Sequence, residues 1–375
     1  MSTLLTIQIL GWNGEAHLRE TARSLANIPA DVAHILYIDN GSNDNSVAII
    51  QEILPHAEIL KLEKNIGFAA AHNIGIARCA TPFVLTLDQD QEIIWEGIEK
   101  LLEAMQKNPK LGAVQGKVYR QSSSPHPSPL LSKERGSTAI DSAGIIQTFS
   151  LNGKERGANE PDTGQFDEPA DLLAVTGGCG LYRVEALKSV AQHRRVIPAS
   201  EPESTSSWIP GQARDDNEFG EIFDEAFFSY KEDVDLGWRL NNAGWQVQYI
   251  PVLASYHART LGKRGFLNWG LNISEIKKRV NSPRTRWSLR NYVWMIAKNA
   301  STKQIFLYWP FVKMRLLVFF VLSLFSKELF GVWKETFAGL KMMREKGKST
   351  SSRILTNGQY KKICFVDAFF AIIHT

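Results

Sequence analysis

The chain has 375 residues, 44% hydrophobic and 22% charged, which is enough for one large domain or two ordinary ones with a buried core. Its three cysteines, Cys79, Cys179 and Cys364, lie far apart, which excludes a disulfide framework and suits a reducing compartment. The net charge of +4 hides a division, with −13 on residues 1–258, +13 on 259–327 and +4 on 328–375, so an acidic body carries a basic C-terminal third. Such asymmetry points to an anionic partner on the basic side. No signal peptide is expected, because the start lacks a basic region and a small-residue cleavage site. No internal repeat is visible.

The first third alternates strands and helices. Strands are predicted over 4–10, 34–39, 57–62 and 83–87, and helices over 14–28, 46–54, 67–79 and 93–108. Short connections between them imply a mostly parallel sheet covered on both faces. Ligands of such sheets bind beyond the carboxyl ends of the strands. That rule puts Asn13, Asp39, Asn40, Gly41, Asn65, Gly67, Asp88 and Asp90 on one rim. The first turn, "GWNGEAH", is not GxGxxG, so a dinucleotide site is not expected.

The fourth strand, "FVLTL", runs into "DQDQE". Two carboxylates at a strand end could simply complement the next helix N-terminus. They are also hard ligands that suit Mg²⁺ or Mn²⁺, which complete their shells with phosphate oxygens and water. A divalent cation there would let an acidic rim accept a diphosphate.

Residues 121–139 hold six serines and three prolines, and 192–218 have a similar composition. Both resemble disordered insertions, with an active-site lid as the competing reading. From Asp233 a helical pattern begins and ends near Gly244, after which "WQVQYI" reads as a half-buried strand that Pro251 stops. Glu232 and Asp233 then start a helix, either as dipole partners or with a general base among them. His257 follows seven residues after that strand, either as a structural histidine or as a third metal ligand.

Beyond His257 bases interleave with Trp269, Trp287, Tyr292 and Trp294. The segment 305–325 is strongly apolar, but Lys313 and Arg315 split it and leave a clean run of ten residues, against roughly 20 for a span. Helices lying on an anionic membrane surface are expected, with a self-packed helical domain as the plainer reading. No nucleic-acid motif appears.

In order, "IQILGWNG", "YIDNGSNDNS", "EKNIGFAAAHNIGIA", "VLTLDQD", "VTGGCGLYR" and "FDEAFFSYKEDVDLGWRLNNAGW" resemble family 2 glycosyltransferases, inverting enzymes of the GT-A fold, over about residues 4–258. "LDQD" and "SPRTRWSLRN" are similar to the bacterial rhamnosyltransferase branch. The resemblance implies a GT-A catalytic domain over 1–258, and the composition beyond it adds a basic amphipathic helical, membrane-associating region over 259–345 and a tail over 346–375. It implies donor contacts from Asn13, Asp39, Asn65, Gly67 and Asp88, and metal ligation by Asp90 and Asp88 with His257. It implies Asp233 as the base, and Gly177, Gly178, Glu232, Trp238 and Arg239 in the sugar and acceptor cleft. "GWN" departs from the usual Thr-Tyr-Asn. The implied reaction is sugar transfer from a nucleotide-diphosphate donor to a glycan or polyprenyl-linked hydroxyl, at the cytoplasmic face of the cell membrane. A sugar nucleotidyltransferase and a non-catalytic nucleotide-sugar-binding protein remain as alternatives.

Overall fold

The computed structural model describes residues 3–121, 139–192, 220–258, 281–324 and 326–350. Both candidate insertions, Trp269 and the tail beyond 350 fall outside these residues. The chain divides into two compact units. The first comprises Met1–Ile145, Glu155–Phe228 and Glu232–Arg259, and the second Ile146–Lys154, Ser229–Lys231 and Thr260–Thr375.

The first unit opens with β1 (Leu5–Gly11), α1 (Leu18–Leu25), β2 (Ala33–Asp39), α2 (Ser46–Ile53), β3 (Glu58–Lys61), α3 (Phe68–Ala77) and β4 (Phe83–Asp88). These strands pair in parallel, with β1 between β4 and β2 and β3 beyond β2. Alternate residues of β2 serve opposite faces. Ile35 and Tyr37 pack with Leu18, Ala22 and Leu25 of α1, whereas Leu36 and Ile38 pack with Ala70, Ala71 and Ile74 of α3. Burial on both faces explains why β1, β2 and β4 are mostly apolar, whereas the edge strand β3 is not.

The chain continues through β5 (Gln91–Ile93), α4 (Trp95–Lys107), β6 (Leu111–Arg120), β7 (Ile140–Ser142), β8 (Ile145–Gln147), β9 (Gly153–Glu155), β10 (Ala170–Asp171), β11 (Cys179–Arg183), α5 (Val184–Ser189), α6 (Glu232–Asn242) and β12 (Gln246–His257), with β8 and β9 pairing as a separate two-stranded sheet. The order is β10-β12-β6-β11-β4-β1-β2-β3, with β5 on β12 and β7 on β6. Strand β11 runs antiparallel to both neighbours, so the sheet is mostly parallel with a reversed strand inside it.

Three boundaries differ from the sequence expectation. Gly14–His17 forms a turn before α1, with the N–H groups of His17 and Leu18 both donating to the Gly14 carbonyl. A short strand, β5, precedes α4. Pro251 does not stop β12, because it sits where the β12–β6 register shifts between Tyr249 and Leu253. A proline, which cannot donate to the ladder, is tolerated at such an irregularity. The strand therefore ends on His257 itself.

The second unit contains α7 (Pro283–Asn299), α8 (Thr302–Ser323) and α9 (Lys327–Thr350). Ser282 caps α7 and a Ser301–Gln304 capping box starts α8. Gly339 of α9 lets the Trp294 ring of α7 approach, and the Trp294 indole donates to the Thr336 carbonyl at 2.9 Å. Neither Pro310 nor the charges at 313 and 315 interrupt α8. The expected short apolar run is thus part of a 22-residue helix whose most apolar window has a mean hydropathy of 1.8, long and apolar enough to cross a membrane by length and composition alone.

Candidate active site

The carboxyl end of β4 carries Asp88 and Asp90, and the end of β12 carries His257. The backbone forces these ends together. Ala258 N–H donates to the Asp90 carbonyl at 2.9 Å, and Gln121 N–H donates to the His257 carbonyl at 2.8 Å. One ligand atom from each of Asp88, Asp90 and His257 then falls within 4.8 Å of the others. The imidazole Nε2 lies 3.2 Å from Asp90 Oδ1. Two hard carboxylates and one imidazole are a donor set that fits Mg²⁺ or Mn²⁺.

His257 is 4% exposed. Burial lowers its pKa, but hydrogen bonds to Asp141 and Asp90 and the charges of both outweigh burial and raise it to about 9. Asp141, on β7, lies 2.8 Å from Nδ1 and was not foreseen from the sequence. It is 116 residues away in the chain, so no local spacing could pair the two.

Glycines shape the floor beside the carboxylates. A Cβ on Gly178 would come within 2.4 Å of the Asp88 carboxylate, and one on Gly177 within 2.7 Å of the Phe68 ring. Gly178 also accepts the Asp88 N–H at 3.0 Å. Gly67 adopts φ +89°, a conformation costly to other residues, and abuts Phe228. The Phe228 carbonyl accepts from Phe68 N–H at 2.8 Å, which brings the chain just ahead of α6 against the start of α3.

That chain is unusual. Phe228, Tyr230 and Lys231 all have positive φ, of 62°, 70° and 77°. Non-glycine residues hold such angles only where their surroundings impose them, and such sites cluster around function. Within the second unit, the Asn291 amide of α7 grips the carbonyls of Ser229 and Tyr230 at 2.9 and 2.7 Å. Glu232 and Asp233 follow at the first turn of α6, Glu232 buried and Asp233 half-buried. Both bear on the buried Tyr182 hydroxyl, whose pKa is raised by burial and then by the charges of Asp233 and Glu232.

Trp238 and Arg239 are placed elsewhere than expected. Both are core residues, 0% and 1% exposed. Arg239 donates to Asp235 Oδ2 at 2.9 Å, to the Val190 carbonyl at 2.7 Å and to the Ile222 carbonyl. Its fork fastens two loops to α6 and so cannot line a cleft. On the helix, they follow Asp235 by three and four residues, and this face points inward.

The other rim residues form a polar brace. Asn40 N–H donates to the Gly11 carbonyl, the Asn40 amide nitrogen donates to Asn65 Oδ1 at 3.2 Å, and Asn40 Oδ1 accepts from Ile66 N–H at 3.0 Å. Asn65 Oδ1 also accepts the Gly67 N–H. Asp39, 5% exposed, accepts the Ser42 N–H at 3.1 Å. Asn13 has φ 48° and receives the Asn43 N–H at 2.9 Å. Gln89, between the two aspartates, exchanges hydrogen bonds with the backbone of Trp12, accepting at 2.7 Å and donating at 3.2 Å. A Cβ on Gly14 would meet Gln89 Oε1 at 2.2 Å. The unusual "GWNG" and "DQD" therefore belong together, each built to fit the other.

Residues 7–191 match the family described as Glycosyl transferase family 2. The chain is 25% identical over 272 residues to N-acetylglucosaminyl-diphospho-decaprenol L-rhamnosyltransferase of Mycobacterium tuberculosis, covering 68% of this chain and 76% of the relative. It is 34% identical over 107 residues to poly-beta-1,6-N-acetyl-D-glucosamine synthase of Staphylococcus epidermidis, covering 28% and 26%. Among solved structures it is similar to S. aureus TarS 1–349, with a TM-score of 0.46 and 13% identity over 92% of each chain. The ordered motifs, the mostly parallel sheet with its carboxylate rim and the family match converge on residues 7–191, which form a domain of the kind described as Glycosyl transferase family 2.

Proposed function

We propose that the protein transfers a sugar from a nucleotide-diphosphate donor to a hydroxyl of a glycan or polyprenyl-linked acceptor, with inversion. The convergence of Asp88, Asp90 and His257 at the strand ends carries this reading. Asp39, Asn13 and the Asn65–Gly67 turn lie on the rim where the nucleotide would rest. A Mg²⁺ or Mn²⁺ ion held by Asp88, Asp90 and His257 would offset the charge of the departing diphosphate. Asp233 takes the proton of the acceptor hydroxyl as its oxygen attacks the anomeric carbon from the opposite side. The bond to the diphosphate breaks, and the diphosphate leaves with the electron pair. Gly177 and Gly178 let Phe68 and the Asp88 carboxylate close on the backbone where the sugar would lie. The relatives' names make a rhamnosyl donor, a polyprenyl-diphosphate-linked acceptor and cell-surface polysaccharide synthesis the first candidates.

The test is a screen of nucleotide-sugar donors with purified protein and Mn²⁺, scoring nucleotide diphosphate release and the anomeric configuration of the product. Retention of configuration would refute the single displacement. Release of inorganic diphosphate on supplying a sugar phosphate and a nucleoside triphosphate would favour a nucleotidyltransferase.

We further infer that the second unit lies on the cytoplasmic surface of an anionic membrane. The buried line of α8 is Val312, Arg315, Phe319 and Ser323, whereas Phe306, Leu307, Trp309, Met314, Leu317, Phe320, Val321 and Leu324 are exposed. Only 17% of its most apolar window is buried. Helix α9 adds exposed Phe330 and Phe337 among exposed Lys334, Lys341, Arg344 and Lys348. Lys313 is exposed and sits midway along α8. In a spanning helix it would occupy the bilayer centre, at roughly 3 kcal/mol. Lying in the interface, it reaches the headgroups instead. Flotation with anionic vesicles, partly reversed by salt, is expected. Equal binding to neutral vesicles would refute the electrostatic part, and protection of both flanks from protease on opposite sides would mean a span.

A further inference from the structure

We propose that Asp141, held by Arg120, positions His257 as a metal ligand; this rests on reading Asp88, Asp90 and His257 as the metal site. Three buried or nearly buried groups stand in line. Arg120 Nε donates to Asp141 Oδ1 at 3.1 Å, and Asp141 Oδ2 lies 2.8 Å from His257 Nδ1. Asp141 is 2% exposed. With Nδ1–H donating to Asp141, the lone pair of the neutral ring falls on Nε2, the nitrogen that faces Asp90. The second carboxylate thus chooses the tautomer and fixes the ring plane.

The strands explain why these residues meet. Arg120 ends β6 and Asp141 lies within β7, and β6 and β7 pair antiparallel. On its other edge β6 pairs with β12, in register at His257 with Arg120. Strand β6 therefore lies between the strands that carry Asp141 and His257, and its Arg120 donates to the carboxylate that meets the imidazole. Asp141 touches no reacting atom on this reading. It is a positioning residue.

The experiment measures Mn²⁺ affinity by electron paramagnetic resonance, with Mn²⁺ alone and with UDP, dTDP or GDP, in the full chain and in Asp90→Ala, Asp141→Asn and Asp141→Glu. Removing such an outer partner typically weakens metal binding about 10–100-fold. Asp141→Asn is expected to show that loss with metal-free nucleotide affinity unchanged, and Asp141→Glu to recover part of it. Nitrogen-15 spectra of histidine should show His257 leaving the Nδ1–H tautomer in Asp141→Asn, a change that a purely structural ion pair need not produce at the metal site. Wild-type affinity in Asp141→Asn, with Asp90→Ala impaired, overturns the positioning role alone. No Mn²⁺ binding by the wild type under any condition overturns the metal site itself and the proposal with it. If Asp141→Asn fails to fold, Arg120→Gln, which leaves both Asp141 and His257 in place, is expected to weaken Mn²⁺ binding in the same direction, and unchanged affinity there overturns the proposal.

Discussion

The two units treat charge in opposite ways. In the α/β unit, apolar side chains fill both faces of the sheet, and carboxylates gather where strands end. In α8 the order is reversed: Arg315 is 2% exposed, with its guanidinium 4.9 Å from the Tyr292 ring centre, while Phe306 is 85% exposed. Periodicity in a sequence reveals that a helix has two faces, but not which of them meets water. The α/β unit is built for water outside and a charged ligand at its edge. Helix α8 turns apolar side chains outward instead.

The strongest break in the comparison would come at the rim. Asp233→Asn should lower turnover by about 10²–10⁴-fold while donor binding persists, since general-base catalysis is worth that much. Steady-state kinetics paired with calorimetry of donor binding would show it. Near-normal turnover would move the base, with Glu232 the first alternative.

At the other unit, Leu317→Glu with Phe320→Glu should weaken vesicle binding by about 10²–10⁴-fold, given roughly 1.5–3 kcal/mol for each apolar side chain removed from water. Transfer to a water-soluble acceptor should change little. Both side chains are already exposed, so the melting temperature should hold. A fall in melting temperature with no change in flotation would mean that the face packs on protein.

How much of this was legible follows from the same contrast. The strand–helix order, the rim and the Asp88–Asp90 pair were readable because local period and strand ends report on themselves. The inward placement of Trp238 and Arg239 was not, because helix α6 is buried on nearly all sides and its pattern names no single inner face. The Asp141–His257 and Gln89–Trp12 pairs were not, because each joins residues distant in the chain. Lys313 and Arg315 looked like interruptions of an apolar run, yet only the fold reveals that one turns in and the other out.

A pH titration sharpens the contrast between burial beside carboxylates and burial alone. His257 has its pKa raised to about 9, so its contribution is fully present below the unfolded value of 6.5 and is lost as pH climbs through 9. Buried His72 has its pKa lowered to about 3 by burial, so its neutral form is increasingly penalised as pH falls below 6.5. These two groups together put the stability maximum of metal-free protein near pH 6.5. Thermal melts should drop by ~5–10 °C between pH 6.5 and 9.5 in the absence of metal. His257→Ala should flatten that alkaline limb, and an unchanged limb would refute the assignment.

A smaller effect tests the fit between the first turn and the aspartate pair. Gly14→Ala and Gln89→Ala should each cost about 1 kcal/mol, because either one breaks the paired hydrogen bonds to Trp12. The double variant should cost little more than either single one, since the added methyl no longer meets the Gln89 amide. Strict additivity in urea melts would mean that the two are not coupled.

The smallest effect is expected from removing residues 122–138 or 194–217. The chain leaves and re-enters the first segment at neighbouring points, where Arg120 N–H donates to the Ala139 carbonyl at 2.9 Å. The second is closed likewise, with Gln192 and Glu221 exchanging backbone hydrogen bonds at 2.9 and 2.8 Å. A short turn can therefore replace 122–138 or 194–217 without moving either strand end. Loop-closure entropy changes by only about 0.6 kcal/mol per doubling of length, and shortening acts in the stabilising direction. Melting temperature and donor turnover should stay within a few degrees and about twofold of the parent. The first deletion is the sharper one, because β7 carries Asp141 just beyond it. If it spares the melting temperature but weakens Mn²⁺ binding, the segment helps to set the register of β7. If it abolishes acceptor transfer while Mn²⁺ and donor binding are intact, the segment closes over the acceptor and belongs to the catalytic machinery.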